Sequence, residues 1–359
     1  MRFVLHETAL NGDDETLRYI DRLVDRLADE VHRVEVPAAD LLKDTEWYSV
    51  ARPSRRAVIT SAVAVPPQKT SAHALHAKSM DVRNTAEARV ADKLAHASLV
   101  ILVEDREADG ILLDIFVEEL GSSELKQLWK QGKQVTPRAI EYQNAGGLGA
   151  MPQRVQRIVE DALGEGRSAR LFVVCDSDAR WPGDNTQPSS TAVQNLREMC
   201  NAKTVSLHVL SKRNAENYIP DAVIQAKRNT PQMVNYAPKF DAFLRRPRAQ
   251  RDHFPMKQGL STVERQDAVN AGLYEPADAP DLDLLRHPLF SKKPRPILAL
   301  SQEYRSEFTA ESLAERDGTG EINLILDAAP SRIQRRIMAC TRWTATPYDT
   351  RWCSSFWRG

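Results

Sequence analysis

The sequence lacks several features that would point at once to a class of protein. Its four cysteines show no paired C-x-x-C spacing, which disfavours a zinc site. Acidic and basic residues balance at 49 each, so no overall field draws the chain to nucleic acid or to a membrane surface. No run approaches the roughly 18 consecutive apolar residues of a membrane span, and the N-terminus does not have the plan of a signal peptide. We therefore expect a cytoplasmic protein with no membrane partner.

Two apolar segments that end in acidic residues stand out against this balanced composition. Residues 98–103 (SLVILV) precede Glu104, and residues 171–175 (LFVVC) precede Asp176 and Asp178. Continuous apolar runs of this length favour parallel strands buried on both faces, and open α/β sheets bind ligands at the carboxyl ends of such strands. Side chains at i and i+2 on extended chain point the same way, so Asp176 and Asp178 could share one Mg²⁺ or Mn²⁺ ion. Simple loop or helix-cap roles remain the alternative for this pair.

The order of patterned segments predicts the fold class and the domain layout. Residues 98–220 alternate strand and helix, which predicts an α/β fold with a central, mostly parallel sheet flanked by helices. We expect an N-terminal α/β extension and connector at 1–83, a sheet domain at 84–225, and a mainly helical region at 226–359. The last region contains a Pro-rich linker or wrapping loop at 275–297. Within the connector Ala57–Val65 is expected to be a strand, and Asp109 and Asp114 are expected on the exposed face of a later helix.

The acidic strand ends resemble those of a known domain. Glu104 followed by Asp176 and Asp178 is similar to the TOPRIM domain of topoisomerases, primases and overcoming-lysogenization-defect nucleases. Glu216-Asn217-Tyr218 resembles the Glu-Asn-Tyr element of TOPRIM-like nucleases that accompany ATPase partners in phage defence, and 256–259 (MKQG) resembles their Met-Lys-x-Gly stretch. These matches span residues 98–260. The chain departs from the family where Asp105 replaces the familiar glycine, and it contains no Walker A motif, so the ATPase half of those proteins is not present.

The resemblance implies a TOPRIM-like sheet and a metal-dependent endonuclease that cuts DNA or RNA as a gated effector of anti-phage defence. It implies Mg²⁺, or Mn²⁺, held by Glu104, Asp176, Asp178 and Glu216. The first three would also be catalytic, with Lys257 stabilising negative charge on the phosphate. Because an unrestrained nuclease is toxic, we expect a gate such as a partner ATPase or a homo-oligomer.

Nucleic-acid contacts are expected from local basic residues because the whole chain is neutral. The expected contacts with phosphate are Lys212, Arg213, Arg245, Arg246 and Arg248. The glycine-rich stretch at 144–149 is either a backbone cradle for phosphate or a tight turn. Tyr218 and Trp181 either stack on a base or pack in the core.

Two other functions fit parts of the same pattern. A TOPRIM-like domain could act without catalysis, as a sensor or scaffold subunit that binds a partner ATPase. Residues 100–105 (VILVED) also resemble the opening of response-regulator receiver domains, which carry a phospho-acceptor aspartate. The 73 residues between Asp105 and Asp178 exceed the single βαβ unit that separates the corresponding acids of a receiver, which disfavours that alternative.

Overall fold

The computed structural model describes residues 2–27, 32–64, 79–186, 188–275, 278–290 and 296–326. These residues form an α/β structure with two parallel sheets, of three and four strands, flanked by helices. This architecture confirms the predicted fold class. None of the helices in these ranges combines the length and the apolar character needed to cross a bilayer.

The N-terminal sheet has the order β2-β1-β3 and is covered by α2, α4 and α5. Its elements are β1 (Arg2–Leu5), α1 (Glu7–Leu10), α2 (Asp14–Leu27), β2 (Arg33–Glu35), α3 (Glu46–Val50), α4 (Pro53–Ala64), β3 (Ser79–Val82) and α5 (Thr85–His96). The prediction of a strand at Ala57–Val65 is wrong, because most of this segment lies in α4. Val58, Ile59, Ala62 and Val63 contact the core at helical spacing. Helix α5, which the sequence pattern placed in the second domain, buries Ala88, Ala91 and Leu94 in this first core.

The second sheet has the order β5-β4-β6-β7, with every neighbouring pair parallel. Its elements are β4 (Leu99–Val103), α6 (Ile111–Leu120), α7 (Ser123–Gln134), β5 (Ile140–Asn144), α8 (Met151–Gly164), β6 (Leu171–Cys175), α9 (Pro188–Ala202) and β7 (Ser206–Val209). The chain leaves β4 for β5 on one side and then returns to β6 on the other side. The connections therefore diverge between β4 and β6, which opens a crevice at their carboxyl ends.

The two apolar strands are buried because helices cover both faces of this sheet. On one face Val100 and Leu102 pack with residues of α8 and α9. On the other face Ile101 and Val103 pack with α6 and with the C-terminal helices. Burial on both faces explains why these strands are apolar at every position rather than at alternate ones.

The C-terminal region is mainly helical in its described part, residues 221–275, 278–290 and 296–326. Its helices are α10 (Asp221–Arg228), α11 (Ala237–Leu244), α12 (Arg248–Asp252), α13 (Thr262–Asn270), α14 (Ala279–Leu284), α15 (Pro296–Glu303) and α16 (Ala310–Asp317). The described part of the Pro-rich segment, residues 278–290, buries Leu282, Leu285 and Leu289 in the main core, so it wraps the body. The tryptophan-rich tail and the helix expected at 329–339 lie outside the described residues.

Candidate active site

Glu104 and Asp176 meet at the crevice between β4 and β6. The register pairs Leu102 with Val173, so the residues that follow the two strands arrive side by side. The backbone N–H of Asp176 donates to Oε1 of Glu104 at 3.1 Å, and the backbone N–H of Leu148 also bonds this carboxyl group. The glycine-rich turn that contains Leu148 therefore positions Glu104, and the first two acids of the predicted set lie together.

Asn214 joins the two aspartates that follow β6. Its side-chain Nδ2 donates to Asp176 Oδ2 at 3.1 Å and to Asp178 Oδ1 at 3.0 Å. The backbone N–H of Ala215 donates to the other oxygen of Asp176 at 2.9 Å. Asp178 adopts a left-handed backbone conformation with φ 52°, which is uncommon for a residue other than glycine. The chain thus turns sharply after Asp176, and Asn214 holds both carboxylates on one side of the turn.

Glu216 is buried next to the aspartates and forms an ion pair with the partly exposed Lys257. Lys257 Nζ lies 2.8 Å from Glu216 Oε1, and the side chain of Glu216 is only 2% exposed. The second oxygen, Oε2, is buried and has no hydrogen-bond partner among the described residues. An orphaned carboxylate oxygen is costly in such a site unless another ligand satisfies it.

Asp109 is a member of this cluster that the sequence pattern assigned to a solvent-exposed face. It lies on a wide, π-type helical turn, Arg106–Gly110, and its carboxylate accepts from the backbone N–H of Asp105 at 2.9 Å. Its expected exposure is wrong, because the extra residue in this turn rotates Asp109 towards Glu104. Asp114, also expected on the surface, instead accepts from Trp129 Nε1 at 2.8 Å and from the Tyr142 hydroxyl at 2.9 Å.

The crowded carboxyl groups resist ionisation. Burial, together with the charges of Asp176 and Asp178, raises the pKa of Glu104 to about 8. Burial also raises the pKa of Asp109 to about 7, with Glu104 adding to the effect. The pKa of Asp176 lies well above its usual range because of burial and the neighbouring acids. Burial alone would lower the pKa of Lys257, but Glu216 outweighs it and the pKa is raised, so the ammonium stays charged. The site holds more acid than its lysine can neutralise.

The donor set fits a hard divalent cation, although the side chains do not surround one as they stand. In the described parts of the chain, no three His, Cys, Asp or Glu side chains are arranged around a common point as metal ligands. The oxygens of Asp176 are bonded instead to Asn214 and Ala215. Clustered carboxylate oxygens, one of them the orphaned atom of Glu216, are nevertheless the hard donors that Mg²⁺ or Mn²⁺ prefers. Loading a cation would require some of these side chains to rotate.

The Glu-Asn-Tyr and Met-Lys-x-Gly stretches hold this acidic cluster in place. Asn217 Nδ2 donates to the carbonyls of Arg251 at 2.8 Å and of Phe254 at 3.0 Å, which ties the Glu216 segment to the turn that carries Lys257. Gly259 closes that turn with φ 74°, and a Cβ there would lie 2.3 Å from the carbonyl oxygen of Arg286. Only glycine meets both conditions, which accounts physically for the Met-Lys-x-Gly stretch.

Asp105, the residue that departs from the TOPRIM pattern, has a local structural role. Its Oδ1 accepts from the backbone N–H of Glu107 at 2.9 Å and so caps the wide turn. A carboxylate at the start of a helical turn satisfies backbone donors that have no partner within the turn. Asp105 thereby helps to shape the turn that carries Asp109.

The structure corrects the expected nucleic-acid role of Lys212 and Arg213. Lys212 is 2% exposed and lies 3.1 Å from Asp252. Arg213 is also buried and is paired with Glu264. Both cations therefore hold the C-terminal region to the sheet domain, and reaching a phosphate would break buried ion pairs.

The remaining residues expected at the nucleic acid differ in exposure. Arg245 is exposed and pairs with Asp281 at 2.7 Å, whereas Arg246 is largely buried between Asp278 and Asp281. Arg248 is exposed and donates to the carbonyl of Glu315. Arg245 and Arg248 thus keep a surface position from which a phosphate can be reached.

Of the two aromatic residues considered for base stacking, one belongs to the core. Tyr218 is fully buried, packs edge-on against Phe116 and donates its hydroxyl to Glu321. Trp181 is half-buried and lies 4.4 Å beneath the guanidinium of Arg180.

Sequence reasoning missed two members of the site, Asp109 and Asn214. The signal for Asp109 was its position five residues after Glu104, but an ordinary helix would have turned it elsewhere. The signal for Asn214 was its place between β7 and Glu216, which brings it to the same edge of the sheet. Comparisons of the chain with protein-family models, with curated proteins and with solved structures gave no match.

Proposed function

We propose that the protein is a metal-dependent phosphodiesterase that cuts nucleic acid at the crevice between β4 and β6. The observation that carries this proposal is the convergence of acidic side chains beside one lysine at the carboxyl ends of neighbouring strands. The pKa values of Glu104, Asp109 and Asp176 are all raised there. Perturbed acids of this kind, clustered in a crevice, are typical of catalytic centres.

The residues divide into cation-binding and positioning roles. Glu104, Asp176, Asp178 and Glu216 would bind the cation, and Asp109 would complete the acidic set. When bound, a divalent cation lowers the pKa of an attacking water and offsets negative charge on the phosphate. Asn214 orients the two aspartates through its amide, and the backbone N–H of Asp176 orients Glu104.

Lys257 is suited to stabilise charge rather than to transfer protons. Its raised pKa keeps it protonated at neutral pH, and its side chain is 32% exposed, so it can reach a substrate. An ammonium fixed by Glu216 would stabilise the phosphate oxygens in the transition state.

Room for a substrate lies beside Ser177, the residue between Asp176 and Asp178. A cavity of about 460 Å³ adjoins the loop after β6 and is lined by residues that include Ser177, Gly183, Arg197 and His253. The ring Nδ1 of His253 lies 2.9 Å from the carbonyl oxygen of Ala179, and burial lowers its pKa. A mixed wall of this kind, with an uncharged imidazole near Arg197 and Asp184, can accommodate a nucleoside next to the phosphate that is cut.

A nuclease assay of the purified full chain tests the proposal directly. Plasmid, single-stranded DNA and tRNA would be incubated with Mg²⁺, Mn²⁺ or EDTA. Asp178→Asn is the sharpest variant, because asparagine tolerates the left-handed backbone at this position and removes only the charge. We expect cutting to require metal and to fall at least about 100-fold in this variant.

Glu198→Gln is the matched control, because this exposed acid of α9 lies outside the acidic cluster. Its rate should equal that of the wild type. Metal-dependent cutting that survives Asp178→Asn would refute the assigned site. A wild-type chain that binds Mn²⁺ in calorimetry but cuts nothing, even with an ATPase from a neighbouring gene, would instead support the scaffold alternative.

A further inference from the structure

A second large cleft lies away from the acidic cluster, between the N-terminal unit and α8. It has a volume of about 830 Å³ and is bounded by α2 and α5 on one side and by α8 and the edge strand β5 on the other. Pockets of this size commonly accommodate a ligand as large as a nucleotide. The cleft is therefore large enough to bind a ligand of its own.

The walls of this cleft carry an excess of positive charge. Six arginines and lysines line it against four acids, and the acids are mostly engaged by neighbours. Asp92 pairs with Arg22, and Glu165 pairs with Arg167 at 2.6 Å. Glu141 accepts from the amide of Gln143 at 3.1 Å, and the remaining acid, Asp161, is exposed. Ion pairs thus engage Arg22 and Arg167, whereas three other arginines of the cleft form no ion pair with a described residue; the exposed Asp161 lies one turn after one of them on α8.

These three arginines are Arg154, Arg157 and Arg170. Arg154 and Arg157 lie one turn apart on α8, and neither makes a hydrogen bond or ion pair with another described residue. The Nε atoms of Arg154 and Arg170 are buried without a partner. Arg170 is held by the carbonyl of Ala97 at 2.5 Å. Its pKa is lowered to about 10 by burial and by the like charges of Arg167 and Arg26.

Two buried Nε donors without acceptors, those of Arg154 and Arg170, lie near the exposed guanidinium of Arg157 and point to an anion that would accept from them. Arginine presents a planar set of N–H donors that matches the oxygens of phosphate, and charge-assisted bonds of this kind are the strong ones. We propose that this cleft, which we call the arginine cleft, binds a small phosphorylated ligand of nucleotide size that carries at least two negative charges. Arg154, Arg157 and Arg170 contact the phosphates in this assignment.

Binding to the full chain in EDTA tests the assignment, because chelation removes any contribution from metal at the acidic cluster. Titration calorimetry and thermal unfolding would be run with sodium pyrophosphate, ATP, adenosine and a 12-nucleotide DNA strand. We expect pyrophosphate and ATP to bind and to raise Tm, and adenosine to do neither. The double variant Arg154→Gln and Arg157→Gln should weaken ATP binding at least about tenfold.

The matched control removes two positive charges elsewhere, in the double variant Arg52→Gln and Lys130→Gln. Both residues are exposed and lie outside the arginine cleft, so ATP affinity should stay within about twofold of the wild type. If the glutamine variant of the cleft unfolds, Arg154→Lys with Arg157→Lys keeps the charges and should weaken ATP binding to a smaller extent.

Three results would overturn the assignment. The first is no binding of pyrophosphate or ATP at millimolar concentration. The second is an equal loss of affinity in the cleft and control variants, which would reflect overall charge. The third is a DNA strand that binds more tightly than ATP and loses affinity in the cleft variant, which would make the cleft a groove for nucleic acid.

Discussion

Replacing Glu104 by glutamine should stabilise the metal-free protein at alkaline pH while it removes the proposed activity. Burial and the charges of Asp176 and Asp178 raise the pKa of Glu104 to about 8. The folded chain therefore holds a proton that the unfolded chain releases near its ordinary value of 4.5. The resulting stability is complete below that ordinary value and is lost as the pH rises through about 8. Glutamine is neutral at every pH and can still accept the N–H bond of Asp176.

The size of the effect follows from the two pKa values. The difference between 4.5 and about 8 corresponds to roughly 5 kcal/mol of unfolding free energy, at about 1.4 kcal/mol per pH unit. Asp109 and Asp176 contribute to the same charge repulsion, so removing one carboxyl group recovers only part of this free energy. We expect Glu104→Gln to gain about 2 kcal/mol of unfolding free energy at pH 9 and almost nothing at pH 5. For a chain of this size, 2 kcal/mol raises Tm by about 3 °C.

Thermal unfolding in EDTA between pH 5 and pH 9 measures this difference, with Glu198→Gln as the control. The curves of the wild type and the control should fall together with rising pH, and the curve of Glu104→Gln should fall less. Added Mg²⁺ should narrow the gap at high pH, because a bound cation favours the ionised carboxylate. A Glu104→Gln variant that melts at or below the wild-type temperature at pH 9 would refute the idea that the ionised Glu104 carboxylate destabilises the folded chain.

Three further substitutions separate catalytic roles from structural ones. Asp109→Asn should raise Tm in EDTA above pH 7, because burial raises the pKa of Asp109 to about 7. The same variant should slow cutting at least about tenfold, and unchanged cutting would exclude Asp109 from the site. Lys257→Met leaves the buried carboxylate of Glu216 without its cation, so urea unfolding should show a loss of about 3 kcal/mol at neutral pH. Cutting should fall at least about 100-fold, and full activity would remove Lys257 from the mechanism. Tyr218→Phe removes the hydroxyl that bonds Glu321 and should cost about 1–3 kcal/mol in urea while cutting continues at the wild-type rate per folded molecule; a specific loss of rate would assign Tyr218 a catalytic part.

The fold was predictable where burial is uniform along an element. β4 and β6 are buried on both faces, so their sequences are apolar at every position and indicate parallel strands without reference to any partner. Helix α4 was not predictable in this way. Its β-branched run Val58-Ile59-Thr60 favours a strand locally, but its apolar residues meet the first core at helical spacing, and tertiary contacts decide the outcome.

The candidate site was predictable only where it depends on strand ends. Glu104 and Asp176 follow adjacent parallel strands, so topology alone brings them together. Asp109 depends on one extra residue in a helical turn, which no periodicity reveals. The burial of Arg213 depends on Glu264, 51 residues later, and charge alone could not distinguish this buried arginine from a surface one.

Strand β6 connects the two proposed sites directly. Arg170 lies immediately before this strand, in the arginine cleft, and Asp176 lies immediately after it, at the acidic crevice. The strand between them spans about 17 Å and is packed on both faces, so it is a rigid connection between the two sites. We expect a ligand that shifts this strand at one end to shift its other end as well. Linkage then makes the effect mutual: whatever factor an anion at Arg170 applies to cation affinity at Asp176, the cation applies to the anion.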